Sequence, residues 1–256
     1  MNVVTRVLNL VRPIGRTASA GADTSRGYAI CTLPRSGSNY LCEVLGSTGV
    51  LGRPKEYFNA EGRRRYDDPA YPDDPHEQIE RILTMGATPN GVYALKLFPT
   101  LFDSVVPHFA LTKVLPDLRF VRLRRRDILD HAISYVKATQ TQAYRSTDEA
   151  VSATSYDPAT IQSSIGQICQ WSARWDMFFA RTGLQPVEIT YEDLLGDPQA
   201  AADRVAKLMD VRPPLKIDFY KIPLRIQRDQ ESADWRERFR RECGDPNYID
   251  SAGLLA

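Results

Sequence analysis

The 256-residue sequence predicts an α/β fold, a central parallel β-sheet with helices on both faces. Short apolar runs alternate with longer segments of helical periodicity, and the spacing between runs suits a connecting helix. Hydrophobic residues make up 43% of the chain, enough to bury the core of one large domain.

The runs are "YAICTL" (28–33), "VYALKLF" (92–98), "LRFVRL" (118–123) and "PVEITY" (186–191). The first is short, apolar and ends in a turn, as a buried strand does. Pro-Asn-Gly precedes the second and Pro-Asp the third, both turn signals. Helices are expected at 39–47, 76–86, about 127–142, 161–182 and 198–209. In the fourth, Ile161, Ile165, Ile168, Trp171, Trp175 and Phe178 recur every three or four residues, a core-facing stripe. The segment Gly52 to Pro75, rich in Pro, Asp, Tyr and Arg, reads as a long excursion near the site. The tail from Pro213 is polar and irregular, then helical at about 232–243.

Lys and Arg number 33 against 32 Asp and Glu, a balance that argues against a generic nucleic-acid binder. The Arg residues nevertheless cluster: Arg63 to Arg65; Arg122, Arg124, Arg125 and Arg126; and Arg225, Arg228, Arg236, Arg238, Arg240 and Arg241. Such clusters are commonly solvated faces, but three on a neutral chain suggest a compact anionic ligand. Cys31, Cys42, Cys169 and Cys243 form no C-x-x-C pair, and His76, His108 and His131 have no metal-site spacing, so no metal is expected. No apolar run approaches the roughly 20 residues of a membrane span. The Arg-rich first 26 residues are interrupted by Arg6 and Asn9 and make a poor secretory signal. They read as a flexible or docking segment ahead of one domain, 27–256, in a cytoplasmic protein.

The stretch "YAICTLPRSGSNYLCEVL" (28–45) carries the first functional signal. A strand that turns tightly into a helix aims several N–H groups at one point, and the helix dipole adds positive charge there. Gly37 permits close approach, Ser36 and Ser38 offer hydroxyls, and Arg35 offers a planar charged fork. No G-x-x-x-x-G-K-[ST] is present, and Gly37 stands where a tyrosine-phosphatase loop starting at Cys31 would carry its Arg. A Ser-capped turn is the plain alternative. In "RFVRLRRRDILDHAISYVKA", Arg126 stands at a second strand–helix junction, and Ser134 lies about two turns on. Together they could clamp a second phosphate.

In their order and separation, these two elements resemble the signature regions of sulfotransferases that use 3′-phosphoadenosine 5′-phosphosulfate (PAPS). The chain is most similar to the bacterial trehalose 2-sulfotransferase family, through "RSGSNYLCEVLGSTGVLGRPKEYFN" (35–59), "TPNGVYALKLF" (88–98), "RRRDILDHAISYVKATQT" (124–141) and "RIQRDQESADWRERFRRE" (225–242). The resemblance implies a P-loop-like sulfotransferase fold, a homodimer, PAPS as cosubstrate and a carbohydrate or glycolipid acceptor. It assigns Arg35, Ser36, Gly37, Ser38 and Asn39 to the phosphosulfate, Arg126 and Ser134 to the 3′-phosphate, and Arg228 to a further phosphate contact. It expects Arg225 to Trp235 to fold over the nucleotide, with Trp235 equally a packing anchor. The apolar "VVTRVLNLV" could serve the dimer.

Sulfuryl transfer needs a base for the acceptor's proton. The Lys-Thr-His of many eukaryotic sulfotransferases is here Lys96-Leu97-Phe98, so that His is missing. The resemblance instead implies Glu56, in "RPKEYF", as base, with Lys96 contacting the sulfuryl group or ordering Glu56. Partial burial would raise the Glu56 pKa. Arg53, where the family pattern has an acid, is expected to change the sign of the acceptor pocket and favour a carboxylate or phosphate. Two other functions fit parts of the pattern. A nucleotide-dependent phosphotransferase lacks its Walker Lys and an acidic Mg²⁺ pair, and a non-catalytic nucleotide-binding protein would bind the bisphosphate without transfer.

Overall fold

The computed structural model describes residues 26–145, 148–222, 230–247 and 250. Its centre is a four-stranded, all-parallel sheet of β1 (Arg26–Cys31), β2 (Val92–Leu97), β3 (Leu118–Arg124) and β4 (Val187–Thr190), in the order β2-β1-β3-β4. The expected four strands are all present. β1 begins and ends two residues early, because Thr32 and Leu33 already leave the sheet for the turn. Thr32 still donates its N–H to the Leu97 carbonyl at 3.0 Å.

The helices flank this sheet. α1 (Ser38–Ser47) follows β1; α2 (Ala60–Tyr66), α3 (Pro75–Met85), α4 (Pro99–Val105) and α5 (Leu111–Val114) come before β3. α6 (Ile128–Thr141) and α7 (Pro158–Thr182) precede β4, and α8 (Tyr191–Gly196), α9 (Pro198–Leu208) and α10 (Gln230–Cys243) follow it. The caps show why the longer helices start where they do. Asp74, Asp127 and Asp157 each accept a backbone N–H of the first turn, and Pro75 and Pro158 occupy N-terminal positions that need no donor.

Alternation along the strands divides the core in two. Tyr28, Ile30, Val92, Ala94, Val121, Leu123 and Ile189 pack with α1 and α9. Ala29, Cys31, Tyr93, Leu95, Leu97 and Phe120 face the other way, toward α6, α7 and α10. The predicted stripe supplies Ile161, Ile168, Trp175 and Phe178 to that second layer. Arg122 shares this face, where it is 4% exposed and pairs with Asp176 and Ser172 of α7. It is a tie between sheet and helix.

α1 and α6 leave the neighbouring strands β1 and β3 to return on opposite sides of the pair, β2 beside β1 and β4 beside β3. The crevice at the carboxyl ends of β1 and β3 is thus the switch point at which open α/β sheets bind ligands. Both segments singled out from the sequence open onto this end of the sheet.

Candidate active site

The first turn is held from below. Ser36 is fully buried; its hydroxyl donates to the Leu33 carbonyl at 2.7 Å and meets Thr32 Oγ1 at 2.6 Å. The Ser36 side chain therefore braces the loop, which corrects the expectation that its hydroxyl faces a ligand. Trp175 Nε1 donates to the Thr32 carbonyl, and buried His131 bonds the Pro34 carbonyl through Nε2 at 2.6 Å. Burial drives the His131 pKa down to about 4, so the ring is neutral and Nε2–H donates.

Above this base the backbone is contorted. Arg35 has φ 63° and Gly37 φ 84°, both left-handed. A Cβ on Gly37 would lie 2.3 Å from Cδ2 of Tyr191. α1 begins at Ser38 with no side-chain cap. Its first N–H groups are therefore left to a ligand or water, at the positive end of the helix.

Arg35 reaches from this loop to the next. Its Nε donates to Ser134 Oγ at 3.2 Å and its Nη1 to the Tyr144 carbonyl at 2.5 Å. Burial, and then the charge of Arg125, lower the Arg35 pKa. Arg125 lies over the Tyr191 ring and 3.4 Å from Asp130, with its buried Nε lacking a hydrogen-bond partner among the described residues. Two guanidinium groups in electrostatic reach of each other beside an uncapped helix favour an anion.

A cavity of about 340 Å³ opens beside the loop. Arg35, Ser38 and Asn39 form one wall, Glu56 and Lys96 another. Lys96 Nζ donates to Asn39 Oδ1 at 2.6 Å and lies 2.8 Å from Glu56 Oε1. Asn59 Nδ2 donates to Glu56 Oε2 at 2.8 Å. The chain Asn39–Lys96–Glu56–Asn59 thus links α1 to the segment before α2. Burial raises the Glu56 pKa, but the Lys96 charge and hydrogen bond, with Asn59 and Arg63, outweigh it and hold the carboxyl low. The net shift is opposite to the rise expected from partial burial, because Lys96 is itself buried against the carboxylate.

The other expected positions are less uniform. Arg126 is exposed and pairs with Asp193 at 3.1 Å and Glu192 at 3.7 Å, so Ser134 meets Arg35 and not Arg126. Arg124 pairs with Glu188 at 3.4 Å. Arg53 is exposed and is not among the residues that line the cavity. Arg225 and Arg228 lie outside the described residues, as does the apolar amino-terminal segment. Trp235 of α10 is buried against Tyr156, a packing anchor. Arg236 pairs with Asp127 and Asp130 and ties α10 to α6.

Several wall residues were not foreseen. Tyr66, Tyr135, Tyr144 and Phe98 give the cavity aromatic faces, and Arg145 adds charge to that of Arg65, a member of the first Arg cluster. α2 carries two of these, yet has no apolar periodicity to announce it. Asn59 caps it, and buried Arg63 pairs with Asp67 across one turn.

A family model described as Stf0 sulphotransferase matches residues 27–242. The chain is 26% identical to a trehalose 2-sulfotransferase of Mycolicibacterium smegmatis, covering 87% of this chain and 97% of that one. It is 28% identical to a trehalose 2-sulfotransferase of Mycobacterium tuberculosis, covering 85% and 96%. Among solved structures, the sulfotransferase domain of the Synechococcus PCC 7002 olefin synthase is similar with a TM-score of 0.45 and 14% identity, over 86% of this chain and 90% of that one.

Proposed function

The chain belongs to the Stf0 sulphotransferase family, and from that premise we propose that it transfers the sulfuryl group of PAPS to a hydroxyl of a carbohydrate or glycolipid. The observation that carries this reading is the single cavity in which Arg35 and the uncapped start of α1 meet the Lys96–Glu56 pair. The names of the two mycobacterial relatives support a sugar acceptor, and the aromatic wall suits a sugar ring.

In this mechanism the acceptor oxygen attacks sulfur in line with the bond to the nucleotide's 5′-phosphate oxygen. The S–O bond to the acceptor forms as that bond breaks, and its electron pair stays on the phosphate. Arg35 and the N–H groups of Gly37, Ser38 and Asn39 offset the growing charge on the bridging oxygen. Glu56 receives the hydroxyl proton. Lys96 keeps Glu56 ionised and aimed, and is close enough to Asn39 to reach the sulfonate as well. Ser134 holds the 3′-phosphate with Arg125 nearby; Arg126 joins them by leaving Glu192 and Asp193. The protein works as a homodimer in the cytoplasm.

Purified protein incubated with ³⁵S-labelled PAPS and a panel of disaccharides and glycolipids tests the reading. Label should appear on an acceptor and the bisphosphate should be released. Binding of 3′,5′-ADP without transfer to any acceptor would leave only a nucleotide-binding protein.

A further inference from the structure

The cavity wall is unequally charged. Glu56 is matched by Lys96 at 2.8 Å, and Arg63 is matched by Asp67. Arg65 and Arg145 have no carboxylate partner among the described residues. Instead both lie near one phenol: the Arg145 guanidinium carbon is 3.6 Å from the Tyr66 ring centroid and that of Arg65 5.2 Å. Asp148, in the same loop as Arg145, turns its Oδ2 to the backbone N–H groups of Tyr144 and Arg145 at 3.0 and 2.9 Å and to the Tyr66 hydroxyl at 3.4 Å. It fixes the loop without pairing with either guanidinium. Glu61, exposed on the same wall, makes no ion pair with Arg65.

We propose that Arg65 and Arg145 read an anionic group on the acceptor, a carboxylate or phosphate on the sugar that carries the reacting hydroxyl. The proposal rests on the sulfotransferase reading and names its substrate class. A cation–π contact with Tyr66 uses no N–H donor, so the N–H groups of both guanidinium groups are left for an oxyanion. The two cations come from separate elements, α2 and the loop after α6, so an anion that accepts from both also links those elements. Arg35, next to the uncapped helix, remains for the donor. A cleft with surplus positive charge also raises the encounter rate with an anionic sugar, in a salt-dependent way.

The test uses protein saturated with 3′,5′-ADP and matched ligand pairs: trehalose against trehalose 6-phosphate, and methyl glucoside against methyl glucuronide. Calorimetry should show the charged member of at least one pair binding about tenfold or more tightly, a preference that weakens with added salt. In R65Q/R145Q that preference should vanish while 3′,5′-ADP affinity is unchanged, which also shows that the variant is folded. The glucuronide and phosphate arms distinguish a carboxylate from a phosphate. Equal or undetectable binding of charged and neutral sugars overturns the proposal, as does loss of 3′,5′-ADP affinity in R65Q/R145Q, which would move the two cations to the donor. Failure of the wild type to bind 3′,5′-ADP at all would instead defeat the sulfotransferase reading.

Discussion

Arg35 Nε donates to Ser134 Oγ across 3.2 Å, although 99 residues separate them. The contact ties the loop after β1 to the helix after β3, so both sequence elements serve one crevice at the carboxyl end of the sheet. It also makes Ser134 a support of Arg35 as well as a candidate phosphate contact.

The first prediction follows from that bond. Arg35→Ala should lower turnover about 100- to 1,000-fold, the usual cost of removing a donor to developing negative charge. Ser134→Ala leaves the guanidinium held by the Tyr144 carbonyl but removes its bond to Ser134, and a lost hydrogen bond to a charged group should raise the donor KM about tenfold or more. Steady-state kinetics with PAPS as the varied substrate separates the two effects. A Ser134→Ala enzyme with an unchanged donor KM would deny that residue both roles.

Glu56 and Lys96 make a pH prediction. In the wild type the carboxyl is held below the ordinary carboxylate range, so Glu56 stays ionised and kcat/KM should not fall until the pH drops below that range. Lys96→Met removes the largest influence lowering the pKa and leaves burial, which raises it. The acid limb of the kcat/KM profile should then move to higher pH, and Glu56→Gln should cost about 100- to 10,000-fold wherever the wild-type carboxyl is ionised. A Lys96→Met profile with its acid limb unmoved would show that Lys96 does not set the state of Glu56.

Gly37 has a specific reason to be glycine. Its φ of 84° strains any side chain, and its closeness to Tyr191 leaves no room for one. Gly37→Ala should lower stability by about 1–3 kcal/mol, the usual cost of a strained backbone position. Pairing it with Tyr191→Ala relieves the clash but not the φ, so thermal melts of the double variant should recover only part of the loss relative to Tyr191→Ala alone. Full recovery would assign the whole cost to the ring.

How much of this was legible follows from what a sequence displays. The four strands are short apolar runs, and the long helices carry periodic stripes such as Ile161 to Phe178. The turn around Arg35 was visible because local residue types define it. α2 was not, because its buried residue is Arg63 and it lacks an apolar stripe. Ser36 looked like a ligand donor, but a hydroxyl cannot announce that it will satisfy Leu33 and Thr32. Arg126 and Arg125 are adjacent in sequence, and only the strand's end decides that one meets solvent and Glu192 while the other lies over Tyr191. The wall cations Arg65 and Arg145 are distant in sequence, so no local pattern could pair them.

His131 supplies the last prediction, for stability against pH. It is 2% exposed, and its ring touches the Pro34 carbonyl with Arg125, Arg35 and Glu192 around it. Burial, with Arg125 and Arg35, outweighs the Pro34 bond and Glu192, and the folded pKa is lowered to about 4 from an ordinary 6.5. The unfolded chain therefore binds a proton that the folded one refuses in this window. The stability linked to this group is fully present above pH 6.5 and is lost progressively as pH falls toward 4. The whole loss amounts to about 3 kcal/mol at ~1.4 kcal/mol per pH unit. Replacing His131 by Gln keeps an amide that can donate to the Pro34 carbonyl and removes the titration. Urea melts at pH 7 and pH 5 should show a smaller drop for His131→Gln than for wild type, by about 2 kcal/mol. Equal drops in the two proteins would mean that the ring charges freely in the fold and does not hold the loop as a neutral donor.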